Sequence, residues 1–395
     1  MSRRPLTSES VPENPRRVLL LCPDARVREA AAGTGFDAWS VEGPGDVLQA
    51  GGRTVSVDLD DADALHSALV RTARAHGIRH ILYLGEAEVL HRAAERALHA
   101  VAPERAEPLR RLGDPVLMRR MLNQSRVSVV RAEPAATAQA VRALVEDFPL
   151  PVAVKSGPAS RTTVIRSLDD LDRWLAEAPA GPHLVEELLT GQRVSVDTLT
   201  CEGMHEVTGM TARRHAGAVL LHPAALSEAD RAEIRAAVRA LLDLAGLQCG
   251  PAHTEVVVTE NGPRIAAAKA RLGAQPIRRL LRASTGRTPE EDVLSALAGS
   301  PRRRPAPGRP AALARLPLCR PGGDLAAFLT GIGGMRHVDD VRVVAAGADS
   351  PEHVQVIVHG ATHQELEDRL AAVRRHWADG PRADAGTGPG RHQPG

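Results

Sequence analysis

The sequence predicts a mixed α/β protein of more than one domain, and three observations carry that prediction. Short apolar runs alternate with amphipathic helical stretches through the N-terminal third, which argues for a small parallel layer of strands and helices. A β-hairpin is written into residues 250–271, where the apolar runs 254–259 and 264–268 flank a turn at Glu260-Asn261-Gly262. A Pro/Arg stretch, SPRRRPAPGRP from Ser300, sets a last strand–helix segment apart from the rest.

Composition narrows the function classes. The chain of 395 residues is long enough for two or three separate cores. Its 50 Lys+Arg against 48 Asp+Glu leave a net charge of +2, which is no electrostatic footprint for a nucleic acid or an acidic membrane. Aromatic residues make up 2% of the chain, too few for a base-stacking platform. The four cysteines, Cys22, Cys201, Cys249 and Cys319, are scattered without a CxxC pair, so neither a disulfide framework nor a structural zinc is expected. The first residues are polar and Pro-rich, unlike a signal peptide, and no apolar run approaches the ~20 residues that span a bilayer. The expected setting is a reducing cytoplasm. Basic residues are nearly all arginine; Lys155 and Lys269 are the two lysines. A lysine kept against that bias points to a need for a compact ammonium that an arginine fork does not mimic.

Taken in order, residues 1–15 read as disordered. A strand at 18–22 precedes a helix opened by Asp24 and closed by Gly33; strands at 54–57 and 78–84 alternate with helices at 61–76 and 87–101. The first strand runs into CPDARVREA, without the glycines of G-x-G-x-x-G, so a nicotinamide dinucleotide is not expected. A new segment starts near Gly113, with Asp114 as N-cap and Pro115 as first helical residue. Further on come a helix near 135–147, a buried strand 152–154 ending at Lys155, and a helix capped by Ser167 and Asp170. The stretch HLVEELLTGQRVSVDTLT gives a strand, a turn at Gly191 and a second strand. A long helix with Ser227 and Asp230 as capping pair stops at Gly246 and leads to the hairpin. Beyond the Pro/Arg stretch come strands at 341–345 and 354–359 and a helix with Thr362 and Glu365 as its capping box. A Gly/Pro-rich tail from 379 reads as disordered.

At one end of the hairpin, Glu255 on the first strand and Lys269 and Arg271 at the end of the second converge. Such charges are costly to bury together unless something charged lies among them. Taken alone, Lys155 reads as an anion ligand or a solvated strand-end lysine. Glu255 reads as the ion-pair partner of Lys269 across the hairpin. Arg193 reads as an exposed strand arginine.

Four motifs in sequence resemble the ATP-grasp superfamily in its carboxylate–amine ligase branch, most closely the L-amino-acid ligases: PVAVKSG, LVEELLTGQRVSVD, GPAHTEVVVTENGPRI and ARLGAQPIRRLLRASTG. The resemblance implies an ATP-grasp domain over residues 113–299, an N-terminal α/β pre-ATP-grasp domain over 16–112, a Pro/Arg linker at 300–311 and a C-terminal α+β domain at 312–378. It implies ATP as cofactor and a carboxylate and an amine as substrates, joined as an amide through an acyl phosphate, and it is compatible with a homodimer. Residue by residue, Lys155 resembles the phosphate-contacting lysine; Glu186, Glu187 and Leu189 resemble the adenine hinge; Glu255 matches the first carboxylate for magnesium. Arg271 matches the arginine that steers the transferred phosphoryl group. The departures are as specific. Ala267 and Lys269 replace the second metal glutamate and an asparagine, Arg193 replaces a ribose-gripping carboxylate, and Pro115 replaces an earlier phosphate lysine. SGPASRTTV keeps only Gly157 of a glycine-rich loop. Lys269 then reads as an ammonium standing where magnesium would bring its charge. Two functions follow: an ATP-dependent ligase with altered metal use, or a catalytically impaired relative that binds a ligand or a partner.

Overall fold

The computed structural model describes residues 17–45, 53–156, 161–299, 308–318, 325–346 and 351–379. The expected N-terminal tail, residues 157–160 of the loop after Lys155, the linker stretch 300–307, Cys319 and the tail past residue 379 lie outside them.

The chain divides into two units. The first runs to Met210 and takes in Leu226–Arg278 and the chain from Thr288 into the linker. It begins β1 (Arg17–Leu21), α1 (Ala25–Gly33), β2 (Asp37–Glu42), β3 (Thr54–Ser56), α2 (Ala62–Ala75), β4 (Ile81–Leu82), α3 (Glu88–Val101), α4 (Pro103–Gly113). The strands form a sheet in the order β3-β2-β1-β4, every pairing parallel. A parallel strand covered on both faces must be apolar throughout, and β1 obeys. Leu19 and Leu21 pack with Leu65 and Leu69 of α2 and Ala94 and Leu98 of α3, while Val18 and Leu20 pack with Val27 and Ala30 of α1. Asp24 and Asp61 cap α1 and α2 through their carboxylates. The sequence reading passes over β2 and α4; α4 starts at a proline with no side-chain cap and carries Pro108 inside, so its periodicity is masked.

Next come α5 (Pro115–Ser125), β5 (Ala132–Ala135), α6 (Ala138–Asp147), β6 (Val152–Ser156), β7 (Arg161–Ile165), α7 (Leu168–Ala176) and β8 (His183–Glu187). These strands make an antiparallel sheet, β5-β8-β6-β7, over a core of Val141, Val145, Leu171 and Trp174 from α6 and α7. Asp114 caps α5 by accepting from the amides of Val116 and Leu117. β9 (Gln192–Cys201) and β10 (Met204–Arg214) lead to β11 (Val219–His222), which belongs to the second unit. The first unit resumes with α8 (Glu228–Ala245), β12 (Gly250–Thr259) and β13 (Gly262–Lys269) in the order β13-β12-β9-β10. The hairpin is longer than its apolar runs suggest because β12 also pairs with β9 from Gly250 on. Gly262 takes the left-handed φ of +88° that its turn requires, and Gly246 takes +78° to end α8. α9 (Gln275–Thr285) crosses into the second unit, and α10 (Pro289–Leu297) returns to the first.

In the second unit β11 pairs with β14 (Ala311–Pro317). After α11 (Leu325–Gly333) come β15 (Val338–Val344), β16 (His353–His359) and α12 (His363–Asp379), giving the order β11-β14-β16-β15. Leu366, Leu370 and Val373 of α12 are buried; the Thr362 hydroxyl accepts from the Glu365 amide as expected, while the Glu365 carboxylate reaches one residue further back, to the Ala361 amide. Arg279 joins Asp340 and Gln355 within this unit. Among the described residues no helix is long and apolar enough to cross a membrane, and no disulfide joins Cys22, Cys201 or Cys249.

Candidate functional site

β6 delivers Lys155 between its neighbours, opposite Thr162 of β7 and Leu184 of β8. The side chain is not solvated: Lys155 is 6% exposed, donates to the Ala266 carbonyl at 2.6 Å and pairs with the Glu186 carboxylate. The other Glu186 oxygen accepts from Arg119 Nε at 2.7 Å. Arg119 completes its fork on the carbonyls of Ile265, at 2.7 Å, and Ser128, at 3.1 Å, while the Ser128 hydroxyl accepts from the Ile265 amide at 2.8 Å. Two cations on one carboxylate, with carbonyls taking the remaining protons, is the arrangement that lets buried charge persist. Burial pushes the Lys155 ammonium below its ordinary value, opposed by the charges of Glu186 and Glu255. Sequence reading missed Arg119 altogether. In a chain so rich in arginine, one more on a helix carries no mark of burial.

The second cluster lies where β13 ends. Lys269 Nζ sits 3.1 Å from both carboxylate oxygens of Glu88, and Arg271 donates to one of them at 2.7 Å. Glu88 opens α3, so the carboxylate beside Lys269 comes from the N-terminal sheet layer. The hairpin register instead puts Glu255 opposite Ala267 and Lys269 opposite His253. Burial raises Glu88, yet the two cations outweigh it and hold the carboxyl below its usual range. Burial and the Arg271 charge lower Lys269. No signal in the sequence marks Glu88, because it reads as an ordinary first-turn acid favoured by the helix dipole.

Lys155, Lys269 and Arg271 line one cavity of about 680 Å³, shared with Glu88, Glu95, Arg92 and Arg110, and with Pro115, Pro134 and Ala135. His183, also on the wall, is buried; its Nδ1 meets the Ser156 hydroxyl at 2.9 Å, its ring meets Trp174 edge-on, and its Nε2 has no hydrogen-bond partner. His91 is held at about 4 by burial and by the Arg271 charge. Burial and the neighbouring Glu88 raise Glu95.

The remaining expected residues are placed differently. Glu187 turns its carboxylate to the Arg131 amide, 2.9 Å away, and pins β8 to the start of β5. Leu189 is half-buried beyond the end of β8, and Arg193 is exposed on β9 opposite Val257. Glu255 is half-buried between Ser195 and Ala267, next to a bulge at Val256, and is not on the cavity wall. His253 Nδ1 donates to the Asp197 carboxylate at 2.8 Å, tying β12 to β9. Its neighbour Gly273 lets this pair approach: a Cβ there would stand 2.7 Å from Asp197 Oδ1 and displace it.

No protein-family model matches the sequence, and no curated protein matches it. The architecture, however, is that of the ATP-grasp enzymes. It is similar to the L-amino acid ligase of Bacillus licheniformis at a TM-score of 0.72 and 18% identity, over 93% of this chain and 98% of that one. It is also similar to an N5-carboxyaminoimidazole ribonucleotide synthetase in its ADP complex, at a TM-score of 0.71, 13% identity and 95% and 100% coverage. A third likeness is the Campylobacter jejuni biotin carboxylase in its beta-gamma-ATP complex, at a TM-score of 0.65, 14% identity and 91% coverage of each chain. At these identities the likeness establishes the fold.

Proposed function

We propose that this chain is an ATP-grasp protein of the carboxylate–amine ligase class, binding the polyphosphate of ATP against Lys155, Lys269 and Arg271. The observation that carries the reading is that the only two lysines of the chain, far apart in sequence, line the same cavity and are joined there by Arg271. Three fixed cations around a polyphosphate supply the positioned charge on which phosphoryl transfer depends. Amide formation from a carboxylate and an amine, by way of an acyl phosphate, is the reaction of this class.

The donor set does not fit a pair of protein-held magnesium ions. Magnesium takes oxygen ligands in octahedral array. Positions 267 and 269 offer a methyl group and an ammonium, Glu88 is engaged with two cations, and among the described residues no three His, Cys, Asp or Glu side chains gather as ligands. These same positions favour a second reading, in which the chain binds a ligand in the cleft without turning over ATP.

Titration calorimetry with ATP, with and without magnesium, followed by an ADP-release assay across amino acids, tests both. ATP binding with ADP release supports the ligase. Binding with no ADP from any acid and amine supports the second reading, and absence of ATP binding overturns the ligase.

A further inference from the structure

Glu88 stands out among the groups facing the cavity. It is the one carboxylate there that touches both Lys269 and Arg271, it comes from a different layer of the unit, and it is about one-third exposed, so it can leave. Lys269 Nζ meets both of its oxygens and Arg271 meets one, which is how two cations hold a single oxyanion. The rest of the cavity lies beside this contact with Lys155 on its wall.

We propose that Lys269 and Arg271 form a metal-free oxyanion seat, that Glu88 is its built-in occupant, and that an incoming phosphate or carboxylate group binds by displacing Glu88. The inference rests on the proposed reading of the cleft and adds its regulation. A side chain tethered at the first turn of α3 competes at a high effective concentration, so an external oxyanion is taken only when it makes further contacts, as a polyphosphate reaching Lys155 would. The seat is thereby selective for multiply charged ligands over single ions. While Glu88 holds the seat, the binding-competent fraction is small, and apparent affinity falls by that fraction.

Glu88→Gln keeps the shape and removes the charge. Without added metal and with chelator present, it is expected to bind inorganic tripolyphosphate at least about tenfold more tightly than the parent protein. Succinate, measured in parallel, shows whether carboxylates use the seat too; a gain for either anion supports the proposal. Glu95→Gln removes another cavity carboxylate that does not touch the two cations, and should give a much smaller gain. Equal gains in the two variants reduce Glu88 to general electrostatics and overturn the seat. Unchanged or weaker binding in folded Glu88→Gln makes it an ordinary tether and overturns it as well. On the parent protein, tripolyphosphate should raise amide hydrogen exchange in the first turn of α3, and unchanged or increased protection there is also contrary. Tripolyphosphate binding without ATP binding leaves the seat standing and removes the nucleotide reading. ATP affinity indifferent to Glu88 removes the seat and leaves that reading.

Discussion

Arg119 and Glu186 meet at 2.7 Å with both side chains at least 96% out of solvent, and Lys155 holds the other carboxylate oxygen. This triad fastens α5, β6 and β8 to the backbone of β13 at Ile265 and Ala266. The cavity wall that carries Lys155 is thus placed by buried charge as much as by apolar packing.

Arg119→Ala leaves Glu186 with one of its two cations and strips the partner from the Ile265 carbonyl. Breaking a buried pair this way costs about 3–5 kcal/mol. Urea unfolding should show that loss, and a double-mutant cycle with Glu186→Gln should give a coupling of at least about 0.5 kcal/mol.

Lys155→Met should weaken polyphosphate binding by at least about tenfold in calorimetry, through loss of a desolvated cation on the cavity wall. Lys155→Arg should not restore it. A guanidinium fork cannot fit the ammonium's place between Glu186 and the Ala266 carbonyl.

Ala267→Glu with Lys269→Asn places oxygen opposite Glu255 and opposite His253 in the hairpin, and releases one cation from Glu88. Nucleotide affinity is expected to become magnesium-dependent, rising at least about tenfold with the metal and falling without it. An isotherm unchanged by magnesium would count against the alignment of these positions.

His91 has a folded pKa of about 4 against an ordinary 6.5. The unfolded chain therefore binds more protons between those values, so stability rises with pH across that window and is lost as pH falls through it. For this mostly buried ring the swing is on the order of 3 kcal/mol. Denaturation from pH 4 to 7 should show the slope, and His91→Gln should reduce it, leaving the part carried by His80, which burial also lowers to about 4.

Gly191 sits in the turn between β8 and β9 with φ +141°, and a Cβ there would lie 2.0 Å from the Val258 carbonyl oxygen. Gly191→Ala is expected to cost roughly 2–3 kcal/mol, read as a lowered unfolding midpoint.

Much of the fold was legible in local chemistry. Asp24, Asp114, Ser167, Ser227 and Thr362 each cap the helix they were expected to open, because a cap is a contact made within three residues. Asn261-Gly262 marked the hairpin for the same reason. The strands β2, β5 and β7 were not legible: they are short, only partly apolar, and owe their pairing to neighbours far along the chain.

The candidate site divides along the same line. By itself the sequence determined which cations are available, since Lys155 and Lys269 are the chain's only lysines, and that the hairpin would carry Lys269 and Arg271 to one end. Only the tertiary structure decided their partners, Glu186, shared with Arg119, for one lysine and Glu88 for the other. An ion pair between residues far apart in the chain leaves no local trace; its acids and bases look like any surface charge until folding removes the water between them.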